Sequence, residues 1–192
     1  SVNLTLNANE SRQHTDTRTR TTHTDAGAAA PALDQEDTDT SIGLRRAISL
    51  SSRWQWRLGP GESFSLQPFL LHNESRSDSA ATLLAVGDAP DPAYATRVAA
   101  SESGYDIARL NAQLTRRISP DTRVELSGHV GRFDWDSRSR QDQSAADGTP
   151  VLAQRSTTAI ADRSWSLTGK LLHQLGGGHS LDGRIRAQPG QD

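Results

Sequence analysis

The sequence predicts an all-β fold: a segment of an antiparallel, up-and-down transmembrane β-barrel of about seven strands, covering residues 1–192. Three observations carry this expectation. Apolar residues recur at every second position and never at helical spacing. Short turn-forming links alternate with long polar ones. Aromatic residues gather toward the ends of the alternating segments.

Along the chain, Val2, Leu4, Leu6 and Ala8 alternate with Asn3, Thr5 and Asn7. The segment from Ser41 to Leu58 is the clearest. One register holds Ile42, Leu44, Ile48, Leu50, Trp54, Trp56 and Leu58, interrupted by Arg46 and Ser52; the other holds small, amide or basic residues, among them Arg53 and Arg57. Ordinary strands run roughly 3–10 residues, so a segment this long suits a tilted membrane strand that continues beyond the bilayer. Phe64, Leu66, Pro68 and Leu70 follow, alternating with Ser63, Ser65 and Gln67. Pro68 cannot donate a ladder hydrogen bond, so a bulge or a tolerated gap is expected there.

Ala108, Leu110, Ala112, Leu114 and Ile118 then alternate with Arg109, Asn111, Gln113, Thr115 and Arg117. Val124, Leu126, Gly128 and Val130 alternate with Arg123, Glu125, Ser127 and His129. Trp165, Leu167, Gly169, Leu171 and Leu175 alternate with Ser164, Ser166, Thr168 and Lys170, and Leu181, Gly183, Ile185 and Ala187 with Asp182, Arg184 and Arg186.

The short links are Gly59-Pro60-Gly61-Glu62, Ser119-Pro120-Asp121-Thr122 and Gly176-Gly177-Gly178, each with turn chemistry. The long links span approximately Gln13 to Thr40, Ser75 to Gly104 and Ser137 to Arg163. Structureless links of that length are uncommon in a soluble domain. An outer-membrane barrel has short periplasmic turns on one rim and long extracellular loops on the other. Trp54, Trp56 and Phe64 flank a short turn, while Tyr105, Phe133, Trp135 and Trp165 lie toward the long links, which predicts two aromatic girdles. In a soluble sandwich these rings would be core, and their placement at both rims would be coincidence.

Composition is consistent with this. Hydrophobic residues make up 33% and mean hydropathy is -0.66, low for a globular domain. Disorder would be one cause, but net charge is only -2 and the four Trp sit in ordered patterns. A barrel wall, with only every second residue toward lipid, has the same low hydropathy. With 21 basic and 23 acidic residues there is no nucleic-acid footprint, and without cysteine there is no disulfide or thiolate site. The chain lacks methionine, begins at Ser1 without a signal segment and stops after an alternating segment, so it reads as a fragment of a larger barrel.

The predicted lipid-facing set is Leu50, Trp54, Trp56, Leu114, Leu126, Val130, Leu167, Leu171 and Ile185. The predicted lumen-facing set is Arg53, Arg57, Arg109, Glu125, His129, Lys170 and Arg184. Arg46 and Arg116 fall on the lipid register and are tolerable only near the interfaces, since a midplane Arg costs about 2–4 kcal/mol. Ser51-Ser52-Arg53-Trp54-Gln55-Trp56-Arg57-Leu58-Gly59-Pro60-Gly61-Glu62 with Phe64 to Leu70, and Leu114 to Ser119-Pro120-Asp121-Thr122 with Val124-Glu125-Leu126, resemble the barrel of TonB-dependent outer-membrane receptors.

The resemblance spans essentially the whole chain as texture, without an invariant motif. It implies a many-stranded barrel with an N-terminal plug, coupled to the TonB protein, that takes up scarce ligands such as iron chelates or cobalamin. Partners implied are outer-membrane lipid, the plug and the remaining strands, and a small-molecule ligand; neither plug nor energy-coupling box is in this chain.

No catalytic, cofactor or metal residues are expected. His14 and His23, near Asp16 and Asp25, sit in a polar segment without metal-ligand spacing. His129, near Glu125 and Arg123, reads as part of a polar wall. There is no Gly-x-Ser-x-Gly elbow, and Gly176-Gly177-Gly178 lacks the Lys-Ser/Thr of a phosphate loop. The excess of Arg and Lys on the lumen register forms either a hydrated wall or a field favouring anions. Two functional classes fit: active transport through a plugged barrel, or a passive porin or adhesin translocator.

Overall fold

Period-two alternation becomes seven antiparallel strands hydrogen-bonded in chain order into a single sheet. They are β1 (Val2–His23), β2 (Leu33–Gly59), β3 (Glu62–Ala85), β4 (Thr96–Ser119), β5 (Thr122–Ser144), β6 (Pro150–Leu175) and β7 (His179–Ala187). The computed structural model describes residues 1–24, 33–87, 89, 91–175 and 179–187. The expected glycine turn at 176–178, Asp25 and the terminal segment 188–192 lie outside them.

Two short turns have the expected chemistry. In Gly59-Pro60-Gly61-Glu62, proline fixes φ at the second position and Gly61 takes φ 75° at the third, the pairing a type II turn requires. Ser119-Pro120-Asp121-Thr122 needs no positive φ and is closed by the Ser119 hydroxyl on Thr122 Oγ1 at 2.9 Å. Each turn is flanked by the same register shift, at Arg57/Gly59 and at Arg117/Ser119. The extra residues there, Leu58 and Ile118, are exposed. Pro68 causes no bulge. The β2–β3 register passes from Ser51↔Phe69 to Trp54↔Leu66 unshifted, leaving an unpaired gap opposite the proline.

The long polar links need correction. Gln13 to Thr40, Ser75 to Gly104 and Ser137 to Arg163 are mostly strand: β1 and β2 pair as far as His23↔Leu33, β3 and β4 as far as Thr82↔Thr96, and β5 and β6 as far as Ser144↔Pro150. The β5–β6 connection shrinks to 145–149, with Gly148 at φ 83°. These stretches read as loops because neither face is apolar there. Their strand geometry is supported by the backbone ladder and by cross-strand polar pairs. A 27-residue strand such as β2 is about 90 Å long at roughly 3.4 Å per residue, several times a bilayer crossing.

Directly paired residues share a face. One face therefore carries Val2, Trp54, Leu66, Ala112, Gly128 and Leu167 in a single row, and the other carries Asn3, Arg53, Gln67, Asn111, His129 and Ser166. Among the described residues no second layer covers either face. The side chains that are buried are mostly polar-face ones: Ser65, Asn73, Ala81 and Thr115. Along β3, every even-numbered residue from Leu70 to Leu84 is exposed, whereas the odd-numbered residues between them are not. In a single sheet such a difference comes from curvature, which crowds side chains on the hollow side; the polar face is that side.

Both edges, β1 and β7, carry unpaired backbone groups, and the apolar face is uncovered. The 192-residue chain alone is expected to sediment as aggregates in aqueous buffer and to stay dispersed in detergent. Ultracentrifugation with and without detergent checks this; a soluble monomer with a sharp cooperative melt would contradict it.

Candidate functional site

The apolar face has two zones. Near the short turns it is a band bounded on β2 by Ile48 and Leu58, on β4 by Ala108 and Ile118, and on β5 by Val124 and Val130. The predicted residues Leu50, Trp54, Trp56, Leu114, Leu126, Val130, Leu167, Leu171 and Ile185 all fall on this face, and all within this band. At the turn end Trp56 meets Trp54 edge-on at 6.1 Å and stacks on Phe64 at 5.3 Å.

Immediately above, the same face becomes densely charged. Arg46 is held by Glu10 at 2.9 Å, His72 by Asp106 at 2.7 Å and by Glu74 at 3.2 Å, and Arg76 reaches Glu102 at 3.5 Å. Arg132 pairs with Asp134, Arg140 with Asp142 at 2.6 Å, Arg18 with Glu36 at 2.6 Å and Arg20 with Asp34 at 2.6 Å. Arg46 thus lies at the lower edge of a zone rich in ion pairs, which also exposes Ile42, Leu84 and Val98, and Arg116 lies near the opposite, turn-side edge of the band. In this zone a depression of about 410 Å³ opens over Gly104, ringed by His72, Glu74, Arg76, Glu102, Asp106 and Asp136. A Cβ at Gly104 would stand 3.4 Å from the Asn73 carbonyl.

The polar face also changes with height. Arg53, Arg57, Arg109, Glu125, His129, Lys170 and Arg184 all lie on it. Arg123 pairs with Glu125 at 2.9 Å, and Asp182 lies 3.6 Å from Lys170 and 3.4 Å from Arg184. Among the described residues the guanidinium groups of Arg53, Arg57, Arg109 and Arg117 have no carboxylate partner, although the Arg117 backbone N–H donates to Glu62 Oε1 at 3.0 Å. His129 bonds Asn111 at 2.8 Å and Ser164 at 3.4 Å, and not the Arg123–Glu125 pair that neighbours it in sequence. Gly131 makes room for this network, since a Cβ there would stand 2.7 Å from the Ser164 hydroxyl. Higher up, Arg97 reaches Asp39 at 2.8 Å across the intervening β3, where Ala81 is small enough to lie buried beneath the pair.

The second aromatic girdle needs correction. Trp165 lies on the apolar face, opposite Val130, but Tyr105, Phe133 and Trp135 lie on the polar face with Phe69 and Ile107. Tyr105 and Phe133 are 6.3 Å apart. Parity carried the signal: these positions are odd-numbered on β4 and β5, like Arg109 and His129, whereas position relative to the links points to the rim. His14 and His23 lie on opposite faces of β1, and His14 is bound to Asp16 at 3.0 Å, so the two cannot share one ion. Among the described residues no group of His, Asp and Glu has the arrangement of a metal site.

No protein-family model and no curated protein matches the chain.

Above the band, Asp34 is held below the usual carboxylate range by the Arg20 guanidinium and the Thr22 hydroxyl. His72 is pushed above the ordinary histidine value, first by its hydrogen bond to Asp106 and then by the one to Glu74. Because the folded value is raised, the stabilisation from His72 is fully present below the ordinary histidine pKa and is lost as pH rises through the raised one. Asp106→Asn is expected to lower the His72 midpoint in a histidine-selective NMR titration; an unchanged midpoint would contradict the pairing.

Proposed function

We propose that this chain is part of the wall of an outer-membrane β-barrel, with the apolar band in lipid and the polar face lining the interior. The observation that carries the reading is the limit of the band. On β2 it runs from Ile48 to Leu58 and on β4 from Ala108 to Ile118, close to the roughly 9–11 residues a tilted strand needs to cross a bilayer, and on β3 and β5 it is shorter, from Phe64 to Leu70 and from Val124 to Val130. The change from mainly aliphatic to mainly charged descends in regular steps across the strands: the last apolar residues are Ala8 and Ile48 in one row, Leu70 and Ala108 one same-face row lower, and Val130 and Trp165 one row lower again. A flat interface crossing tilted strands produces such an oblique line. A soluble partner would have to follow the same line by chance.

Within that reading, the texture of the strands and turns supports a TonB-dependent receptor, in which a plug absent from this chain would occupy the interior. The unpaired Arg53, Arg57, Arg109 and Arg117 on the polar face supply charges that such a plug, or a ligand in transit, would meet. A passive porin would use the same wall without a plug.

Leu126 and Ser127 are neighbours on opposite faces of β5. In the full-length protein, Leu126→Arg is expected to cost about 2–4 kcal/mol of stability in lipid, whereas Ser127→Arg should stay near wild type. Urea titration of the barrel refolded into vesicles reads both. Equal tolerance of the two substitutions would mean that the apolar face does not meet hydrocarbon.

A further inference from the structure

The aromatic residues on the polar face lie on the side opposite the apolar band, among hydroxyl and carboxamide side chains. Phe69, Tyr105, Phe133 and Trp135 lie on three adjacent strands. Along those strands they stand between two hollows. Below is one of about 260 Å³ lined by Ser65, Gln67, Asn111, Gln113, His129 and Ser166. Above is one of about 190 Å³ bordered by Ser77, Ser79, Ser101, Ser139, Gln141 and Gln154. The hollows are floored by hydroxyls and carboxamides, which both donate and accept hydrogen bonds.

Charge is sorted between the faces here. From Ser75 to Ala85 on β3 and from Ser137 to Gln143 on β5 the polar face bears no ionisable side chain, while Arg76, Asp78, Arg138, Arg140 and Asp142 occupy the other face of the same strands. At the level of the rings two cations, Arg45 and Arg109, accompany one acid, Asp162, opposite Phe133; Arg45 stands one row above Tyr105 and Trp135 and donates to the Asn73 carboxamide at 3.0 Å. Arg53 shares the row of Gln67, Asn111, His129 and Ser166 at the lower hollow, while Arg57 and Arg117 lie lower, toward the turns.

We propose that this track binds an extended, neutral, polyhydroxylated ligand, an oligosaccharide, whose C–H faces stack on Tyr105, Phe133 and Trp135 and whose hydroxyls bond the Ser, Asn and Gln side chains on either side. The assignment rests on the reading of the polar face as the barrel interior. At the upper hollow β3 and β5 offer a charged chelate no counter-charge, and lower down the guanidinium groups of Arg45, Arg53 and Arg109 can donate hydrogen bonds to sugar hydroxyls, so a neutral polyol matches the hydrogen-bonding capacity of the whole track. From Asn111 to Ser101 on β4 the track is about 34 Å long at roughly 3.4 Å per residue, which accommodates several linked sugar rings.

The test uses the full-length protein in a detergent without a sugar headgroup, titrated with maltoheptaose, cellohexaose and xylohexaose while tryptophan fluorescence is followed. At least one should bind and perturb the emission. Trp135→Ala should weaken that binding about tenfold or more, and Trp165→Ala, on the other face, should leave the affinity unchanged. With the folded barrel verified by circular dichroism, three outcomes overturn the proposal: no binding of any of the three sugars, equal affinity in the Trp135 variant, or binding of ferric citrate in their place. Vesicle insertion is measured separately. Insertion without sugar binding overturns the site and leaves the membrane reading intact; sugar binding without insertion supports the site and sinks the membrane reading.

Discussion

Everything in this sheet depends on the backbone ladder. A strand that crosses hydrocarbon has no water to satisfy its N–H and C=O groups, so each must be paired with a neighbouring strand. From β1 to β7 the pairing is in order and antiparallel, and the register shifts it contains lie beside the turns or at the β5–β6 connection. Unbroken registry carries the alternation of one strand onto the next, so a residue's face is fixed by its parity. A single slip in mid-strand would exchange the faces from there on and carry Arg53 and Arg57 to the side of Trp54 and Trp56. Pro68 shows how the constraint is met: the ladder loses pairing at that point, yet the register passes through unchanged.

With the faces fixed, height along the strands decides what each face can be. Near the short turns the outer face is aliphatic and aromatic, and the inner face is amide, hydroxyl and cationic. Above Ile48, Leu70 and Val130 the outer face becomes a belt of ion pairs, while the inner face loses most of its charge. The pairs of the outer belt are largely exposed and individually worth little. On the proposed membrane reading their consequence is positional, because a side chain such as Arg132 or Glu74 would not sink into hydrocarbon, and a belt of them would set the depth of the sheet. The aromatic residues of the polar face fall between the cationic zone and the hydroxyl-lined zone, with Arg45 one row above Tyr105 and Trp135.

The fold was legible in the sequence wherever one face is apolar. From Ser41 to Leu58 and from Val124 to Val130, period two gave strand and face together, and chain order gave the neighbouring strand. It failed above the band, where Thr15 to Arg20 or Ser137 to Gln143 are polar on both faces and hydropathy has no contrast to report. There the strand is maintained by pairing with its neighbour, which no window of one segment reveals. The inner aromatic residues were legible too, since Trp135 shares the parity of His129. Their proximity to polar links concealed them, because a ring near a link suggests an interface whichever way it points. The pairing of Asp39 with Arg97 across Ala81 spans two strand intervals, and nothing local in the sequence encodes it.

The central claim is that one face meets lipid and the other does not. The native tryptophans report on it directly. In full-length protein reconstituted into bilayers, single-tryptophan variants retaining Trp54 or Trp135 can be compared in lipids brominated on the acyl chain. Trp54 should be strongly quenched, and Trp135 should be insensitive to the bromolipid. Equal quenching of the two, or quenching of Trp135 alone, would contradict the assignment of the faces.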